Sequence, residues 1–176
     1  MERFSHETPL ERGNFLGKTE YSNLTLLHSY LPVTEHLSLY YTKLTPIKPP
    51  TQSLVIIHGF GEHSGRFLEV ATTFAELDYE VHLIDFAGFG YSGGLRFISS
   101  VKMLHQNLIK LLEQVNPELP LHWYGHSMGA GLSLSFLMRN PSLNVASVCL
   151  SGPLLHVEGL DWEKKLFLYL LGKKLK

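Results

Sequence analysis

The chain has 176 residues, 44% of them hydrophobic and 18% charged, and a formal net charge of −1 at pH 7. This length and apolar content are typical of one globular domain with a hydrophobic core of its own. The near-zero charge argues against a nucleic-acid partner, because phosphate binding needs a basic surface. The start of the chain lacks the apolar core of a signal peptide, and no apolar run approaches the ~20 residues of a membrane-spanning helix. We therefore expect a cytoplasmic protein, either soluble or peripherally bound to a membrane.

The first part of the chain predicts a polar arm followed by two antiparallel strands. Residues 1–18 are polar and turn-rich. Polar and apolar residues alternate in part over residues 21–31, a strand that Pro32 should end, and alternate more strictly over residues 37–44. Two such strands in succession predict an antiparallel pair at the start of a sheet.

Strands and helices alternate through the rest of the chain. In chain order, the predicted elements are a strand at residues 53–58, a helix at 66–77, a strand at 81–84, a helix from Ser99 or Ser100 to Val115, a strand at 121–124, a helix after Ser127 and a strand at 145–150. Strands that alternate with helices of this length predict an α/β protein with a mostly parallel sheet.

The last predicted strand contains Cys149, the only cysteine of the chain. Because the surrounding run is apolar, we expect a buried, unpaired thiol, which suits a reducing compartment. The strands that would complete such a sheet are not found in the sequence after residue 150. The edge near residues 145–150 should therefore be unpaired, exposed and prone to aggregation.

The end of the chain has a different composition. We divide the chain into a core at residues 1–155 and a segment at 156–176. Residues 160–176 mix large apolar side chains with five lysines. One interpretation is a packed helix. It is either the first helix of a cap, with an apolar face that lines an acyl pocket, or a helix that packs against a protein region outside this chain. The other is a basic amphipathic helix that makes a peripheral contact with an anionic membrane. We favour the cap or packing interpretation.

Residues 125–129 have the G-x-S-x-G pattern of a nucleophile elbow, with Ser127 at its centre. The predicted strand before it and helix after it are the context that this motif requires. The turn should strain the backbone of Ser127, while Gly125 and Gly129, which lack a Cβ atom, let strand and helix approach closely. It should also aim the N–H of Met128 at the serine hydroxyl. The alternative is a glycine-rich turn with a serine N-cap and no chemistry.

Two further motifs precede the elbow, and each follows a predicted strand. They are H-G-F-G-E-H-S-G-R at residues 58–66 and D-F-A-G-F-G-Y-S-G-G at residues 85–94. With the elbow they closely resemble the α/β-hydrolase superfamily, in particular the monoacylglycerol lipase-like branch grouped with serine aminopeptidases and lysophospholipases. The resemblance covers about residues 37–155. It implies an α/β-hydrolase fold that stops after the strand following the nucleophile helix.

The resemblance also implies roles for three residues. Ser127 matches the nucleophile, and the backbone N–H groups of Met128 and Phe60 match the two donors of an oxyanion hole. A tetrahedral oxyanion needs two preorganised donors, and the loss of one typically costs ~10²–10³ in rate. Neighbouring parallel strands should bring the Phe60 loop and the elbow to the same edge of the sheet. We expect no cofactor, and no histidine or cysteine spacing suggests a metal site.

Other polar residues near these motifs have structural interpretations. We expect His58 to brace the oxyanion loop by hydrogen bonding instead of acting as a base. His126 directly precedes Ser127 and should point away from it. Asp85 should hold the loop at residues 88–90 through backbone N–H groups. Three residues of the first motif should tie its loop to the following helix: Glu62, His63 and Arg66.

A catalytic triad in this fold runs in the order Ser, then Asp or Glu, then His. After Ser127 the chain offers only four candidates: His156, Glu158, Asp161 and Glu163. No histidine follows any of the three acids, and all four residues lie at the start of the supposed cap. The chain therefore carries a predicted nucleophile and oxyanion hole without a recognisable base.

These observations favour a serine hydrolase of lipid esters, of the monoacylglycerol or lysophospholipid type, acting through an acyl-enzyme on Ser127. The chain would then be the N-terminal portion of its protein. Two alternatives stay open. One is a non-catalytic chain that binds a lipid or a protein partner, or an inactive fragment. The other keeps the fold but acts on peptide N-termini or short-chain esters, because cap residues choose the substrate.

Overall fold

A computed structural model describes residues 16–20 and 23–155 and arranges them as one sheet with helices on both faces. The strands are β1 (Gly17–Glu20), β2 (Leu24–Thr34), β3 (Leu37–Pro46), β4 (Gln52–Ile57), β5 (Tyr79–Ile84), β6 (Leu121–His126) and β7 (Ser147–Ser151). The helices are α1 (Leu68–Glu76), which a short 3-10 helix at Ser64–Phe67 precedes, α2 (Val101–Leu112) and α3 (Met128–Arg139). Most of the predicted arm and the whole segment 156–176, with its predicted cap or membrane contact, lie outside the described residues.

The strand order of the sheet is β1-β2-β3-β5-β4-β6-β7. Strands β5, β4, β6 and β7 run parallel to one another, with β4 between β5 and β6. The antiparallel strands β1, β2 and β3 extend this sheet from β5. The predicted α/β class, the parallel strands and the antiparallel pair at the start of the sheet are therefore confirmed.

Each face of the sheet carries its own hydrophobic cluster. Helix α1 packs on one face through Ala71 and Ala75, which are both fully buried. Helices α2 and α3 pack on the other face, where Leu108 and Phe136 join Trp123 in the larger cluster. Strand β4 supplies alternate side chains to the two clusters. This arrangement explains its continuous apolar sequence, since a strand covered on both faces has no solvent-facing side.

Most element boundaries differ from the prediction by a few residues, and β2 and α2 are two examples. Pro32 does not end β2, which continues to Thr34 with a register shift between these two residues. The pairing of β1 stops at His28, so Pro32 lies where β2 has one neighbouring strand and its missing N–H is tolerated. Helix α2 begins after Ser100 as predicted, and the Ser100 Oγ accepts the Met103 N–H at 3.2 Å. It ends at residue 112, before the predicted boundary.

Cys149 is exposed, so the prediction of a buried thiol was wrong. Strand β7 pairs only with β6 and is the last strand of the described sheet. Val148, which directly precedes Cys149, is 45% exposed. The apolar run around Cys149 was interpreted as a strand covered on both faces. The sequence also predicted an unpaired edge here, and within the described part of the chain this edge leaves the strand uncovered.

A polar network lies inside the larger cluster, between β3 and β5. The His82 Nδ1 lies 2.7 Å from the Tyr41 hydroxyl, and its Nε2 lies 3.1 Å from the Glu80 carboxylate. Glu80 also accepts a hydrogen bond from the Ser53 hydroxyl at 3.0 Å and pairs with Lys43 at 2.9 Å. Burial lowers the pKa of His82, more than the nearby Glu80 raises it, and so favours the neutral imidazole. The network thus buries the Glu80 carboxylate beside the partly exposed ammonium group of Lys43.

Within residues 16–20 and 23–155, no helix has both the length and the apolar character needed to cross a bilayer.

Candidate active site

Ser127 lies in a sharp turn between β6 and α3. Its backbone has φ 51° and ψ −117°, a conformation that favours glycine. The Ser127 N–H donates to the carbonyl of Ser151 at 2.9 Å. Its own carbonyl accepts the N–H groups of Ala130, Gly131 and Leu154 at 3.0–3.1 Å. The surrounding chain therefore holds the strained turn that the sequence predicted.

The glycines of the elbow allow the close approach that we expected. A Cβ atom on Gly125 would lie 2.8 Å from the Cα of Ala130. A Cβ atom on Gly129 would lie 2.5 Å from the carbonyl oxygen of Ile57, at the end of β4. Gly131, which the sequence analysis missed, approaches the carbonyl of Leu154 just as closely. The repeated small residues in the first turn of α3 were the signal that would have identified it.

Phe60 and Met128 present two backbone N–H groups beside this turn. Met128 directly follows Ser127, and Phe60 follows Gly59, on which a Cβ atom would lie 3.1 Å from the Ser127 Cβ. In the described part of the chain, neither N–H has a hydrogen-bond acceptor. The same holds for the Ser127 hydroxyl. Two unpaired donors beside an unpaired hydroxyl are able to bind a negatively charged oxygen formed there.

His58 braces the loop that carries Phe60, as predicted. Its Nδ1–H donates to the carbonyl of Gly59 at 2.8 Å, and its Nε2 accepts the N–H of Phe86 at 3.0 Å. The side chain is buried, and burial lowers the pKa of His58. Both ring nitrogens are occupied, so this imidazole has no free position from which to accept a proton.

Glu62 closes the same loop from the other side. Its Oε2 accepts the N–H of Gly59 at 2.9 Å, and its Oε1 lies 3.3 Å from the Nε of Arg66. The expected link between the loop and the following helix is therefore present for these two residues. The conformation at Gly59, one residue before Phe60, is fixed on both sides, because His58 binds its carbonyl and Glu62 accepts its N–H.

Asp85 connects two loops at the carboxyl edge of the sheet. Its Oδ1 accepts the N–H of Ser64 at 2.6 Å, and its Oδ2 accepts the N–H of Tyr91 at 2.8 Å. We expected its acceptors to serve residues 88–90 and did not predict Ser64, so that assignment was wrong in detail. Gly90 has φ 48°, and a side chain there would collide with the Asp85 carboxylate. The loop after β4 is thereby tied to the loop after β5.

His126 lies on the α1 face of the sheet, away from the elbow. Its Nδ1 is 3.4 Å from the Ser151 hydroxyl, and its ring packs on Phe67 at a centroid distance of 6.2 Å. Across residues 16–20 and 23–155, no histidine or carboxylate forms a hydrogen bond with the Ser127 hydroxyl. The four residues weighed as triad partners all lie outside the described residues: His156, Glu158, Asp161 and Glu163.

A strained serine between a parallel strand and a helix, at the carboxyl edge of an α/β sheet, defines the α/β-hydrolase class. The family model for "Serine aminopeptidase, S33" matches residues 48–176, which is well over half of the chain. The chain therefore belongs to this family of α/β-hydrolases.

The relatives agree with the branch that the three motifs predicted. The chain is similar to the monoacylglycerol lipase of Mycolicibacterium smegmatis, at 34% identity over 117 residues, which cover 64% of this chain and 41% of that protein. It is similar to the monoglyceride lipase of Homo sapiens, at 33% identity over 115 residues, which cover 62% of this chain and 37% of that protein. The crystal structure of the Paleococcus ferrophilus monoacylglycerol lipase aligns with a TM-score of 0.61 and 26% identity, over 77% of this chain and 51% of that one. The chain thus spans about two fifths of the length of these two curated relatives, and membership of the monoacylglycerol lipase-like branch is confirmed.

Proposed function

We propose that the protein is a serine hydrolase of lipid esters, of the monoacylglycerol or lysophospholipid type. The observation that carries this proposal is the strained turn at Ser127, with two backbone N–H groups beside its hydroxyl that have no acceptor among residues 16–20 and 23–155. The family membership supports hydrolysis in general. The names of the similar proteins, which include monoacylglycerol lipases, support a lipid ester as the substrate.

In the proposed mechanism, the Ser127 Oγ attacks the ester carbonyl carbon and its proton passes to a general base. The carbonyl oxygen becomes an oxyanion and accepts hydrogen bonds from the N–H groups of Phe60 and Met128. The C–O bond to the alcohol then breaks, the alcohol leaves with a proton, and an acyl-enzyme remains on Ser127. Water hydrolyses the acyl-enzyme by the same route. The strained turn and the bracing by His58 and Glu62 keep these donors in place before substrate arrives.

We assign the general base and its acidic partner to residues outside the described ranges. His58 has both ring nitrogens occupied, and His126 lies on the other side of β6. In this class the acid and the histidine follow the serine in the chain. Without them, the oxyanion hole and binding alone leave a residual acceleration of only ~10³–10⁴ over water.

Replacement of Ser127 by alanine tests the proposal in the natural full-length protein. We expect Ser127→Ala to abolish hydrolysis of monoacylglycerol and labelling by a fluorophosphonate probe. Ser135→Ala, a serine on the same helix α3, is the matched control and should leave both rates unchanged. Unchanged hydrolysis by Ser127→Ala would show that another residue performs the reaction.

The same assays separate the alternatives that the sequence left open. Faster cleavage of aminoacyl amides than of acylglycerols would identify an aminopeptidase, which the family description favours. Binding of lipid by an intact protein that neither hydrolyses ester nor labels at Ser127 would identify a non-catalytic binding module. A cytoplasmic location and a peripheral membrane contact through residues 160–176 remain predictions, and sedimentation with anionic vesicles tests the contact.

A further inference from the structure

Three phenylalanine rings form a cluster beside the candidate site, and two of them face solvent. Phe60 is 56% exposed and Phe97 is 54% exposed, while Phe89 beneath them is buried. The ring centroids lie 5.5 Å apart for Phe60 and Phe89, and 5.7 Å apart for each of the pairs that include Phe97. Contiguous exposed apolar side chains are characteristic of ligand-binding surfaces. We call this cluster the aromatic wall.

The backbone at Phe97 is strained. Its φ is 60°, in the left-handed region that a bulky residue rarely adopts. The loop around it keeps this conformation, because the Phe97 N–H donates to the carbonyl of Gly88 at 3.1 Å and the Ser99 hydroxyl donates to the carbonyl of Ala87 at 2.6 Å. Such strain persists where the surroundings determine the conformation, and it is concentrated at binding and catalytic sites. The ring of Phe97 is therefore held in place at a cost in stability.

The aromatic wall begins at the proposed oxyanion hole. The N–H of Phe60 is one of the two proposed donors, and its side chain is part of the wall. A substrate whose carbonyl oxygen binds this N–H therefore has its neighbouring atoms next to the rings of Phe60 and Phe97. Arg96, the adjacent cation in the chain, is exposed and donates to the carbonyl of Gly90 at 2.8 Å through one of its N–H groups. The three rings themselves offer apolar contact.

We propose that the aromatic wall binds the hydrocarbon chain of the substrate's acyl group, and that Phe97 is a specificity-determining residue for long acyl chains. This inference rests on the proposed function of Ser127. Each methylene group removed from water is worth about a fourfold change in binding. A ring that covers two methylene groups therefore changes the preference for a long acyl chain by about tenfold or more.

Replacement of Phe97 by asparagine distinguishes an effect of the ring on substrate preference from an effect on the stability of the fold. Asparagine tolerates a positive φ, so Phe97→Asn removes the ring and relieves strain. We measure kcat/KM of the natural full-length protein for p-nitrophenyl acetate and p-nitrophenyl octanoate, which share one leaving group. We expect the octanoate-to-acetate ratio to fall about tenfold, while the melting temperature stays equal or rises by roughly 2–4 °C.

Ile47→Asn is the matched control, because Ile47 is a 61% exposed apolar residue at the end of β3, at the opposite edge of the sheet. It should leave the ratio unchanged. Phe97→Leu, which keeps an apolar side chain, should retain part of the preference for octanoate. An unchanged ratio in Phe97→Asn overturns the inference whether the melting temperature rises or falls.

The two proposals fail in distinguishable ways. If Ser127→Ala abolishes hydrolysis of both esters and Phe97→Asn leaves the ratio unchanged, the proposed function stands and the aromatic wall has no role in selection. If Ser127→Ala still hydrolyses the esters at the normal rate, the proposed function fails first, and a change in the ratio then belongs to another site.

Discussion

The close approach of helix α3 to strand β4 makes Gly129 a position where one added methyl group should be costly. In Gly129→Ala, the new Cβ atom would lie 2.5 Å from the carbonyl oxygen of Ile57 and closer still to that of His58. Real Cβ contacts below 3.0 Å are essentially absent, so the helix must withdraw by about 0.5 Å or more. Neither oxygen is able to rotate away, because both belong to the backbone.

This geometry sets the expected magnitude. Overpacking of this kind costs up to about 3 kcal/mol, while alanine in a helix gains about 1 kcal/mol over glycine. We therefore expect Gly129→Ala to lower the free energy of unfolding by about 2 kcal/mol. Because Met128 begins the same helical turn, its N–H moves with the helix. A displacement of this size should slow the reaction of Ser127 about tenfold or more, given that 1 Å costs ~10².

Urea unfolding followed by tryptophan fluorescence measures the first effect, and the rate of fluorophosphonate labelling of Ser127 measures the second. Gly93→Ala is the matched control, because its Cβ atom would make only ordinary van der Waals contacts, at 3.4 Å from the Leu37 side chain and at 3.6 and 3.7 Å from the Ser38 backbone. We expect this control to change stability by less than about 0.5 kcal/mol. If Gly129→Ala matched Gly93→Ala in both assays, the argument from close approach would be refuted.

Three further predictions follow from the strained turn, the braced loop and the buried network. Ser127→Gly should raise the free energy of unfolding by about 1 kcal/mol while it abolishes labelling, since glycine accepts a φ of 51° without strain; a destabilised variant would mean that the turn is not strained. His58→Ala should cost about 2–4 kcal/mol in urea unfolding, because it leaves the buried Phe86 N–H without an acceptor and opens a cavity; a loss below 1 kcal/mol would contradict the bracing role. Burial raises the pKa of Glu80, but its hydrogen bonds and its ion pair with Lys43 outweigh burial and hold that pKa well below its usual range. Stability from this carboxylate is therefore fully present above about pH 4.5, its ordinary value, and is lost as the pH falls further. Glu80→Gln should be less stable at pH 7 and show a flatter dependence of the urea midpoint below pH 4.5; an equal slope in both proteins would assign the acid sensitivity elsewhere.

The sequence predicted those features that depend on neighbours along the chain. Apolar runs and helical spacing identified the central strands and the three helices, because periodicity reflects which side of an element is buried. The G-x-S-x-G pattern predicted the turn at Ser127, since the glycines on either side are required by contacts within a few residues and with the adjacent strand. His58 was placed correctly because one of its two partners is the next residue in the chain.

Features that depend on distant partners escaped prediction. Asp85 binds the N–H of Ser64, 21 residues earlier, through a meeting of two loops that no local pattern records. Pro32 was interpreted as the end of a strand because the sequence does not show where β1 stops. The exposure of Cys149 depends on the position of β7 at the sheet edge, although its apolar run is indistinguishable from that of a central strand. The aromatic wall also joins residues from separate loops, and only the fold brings Phe60 and Phe97 together.

The position of β4 between β5 and β6 has a consequence for the synthesis of this protein. Strand β4 is complete at Ile57, yet its two neighbours, β5 and β6, end only at residues 84 and 126. On the ribosome, its continuous apolar run at residues 54–57 therefore waits for β5 while 27 further residues are made, and for β6 while 69 are made. The earlier strands β2 and β3 do not relieve this exposure, because β3 pairs with β5. Among the described strands, this buried central strand is thus the one whose second partner is completed longest after it, and a chaperone that binds short extended apolar segments would act there.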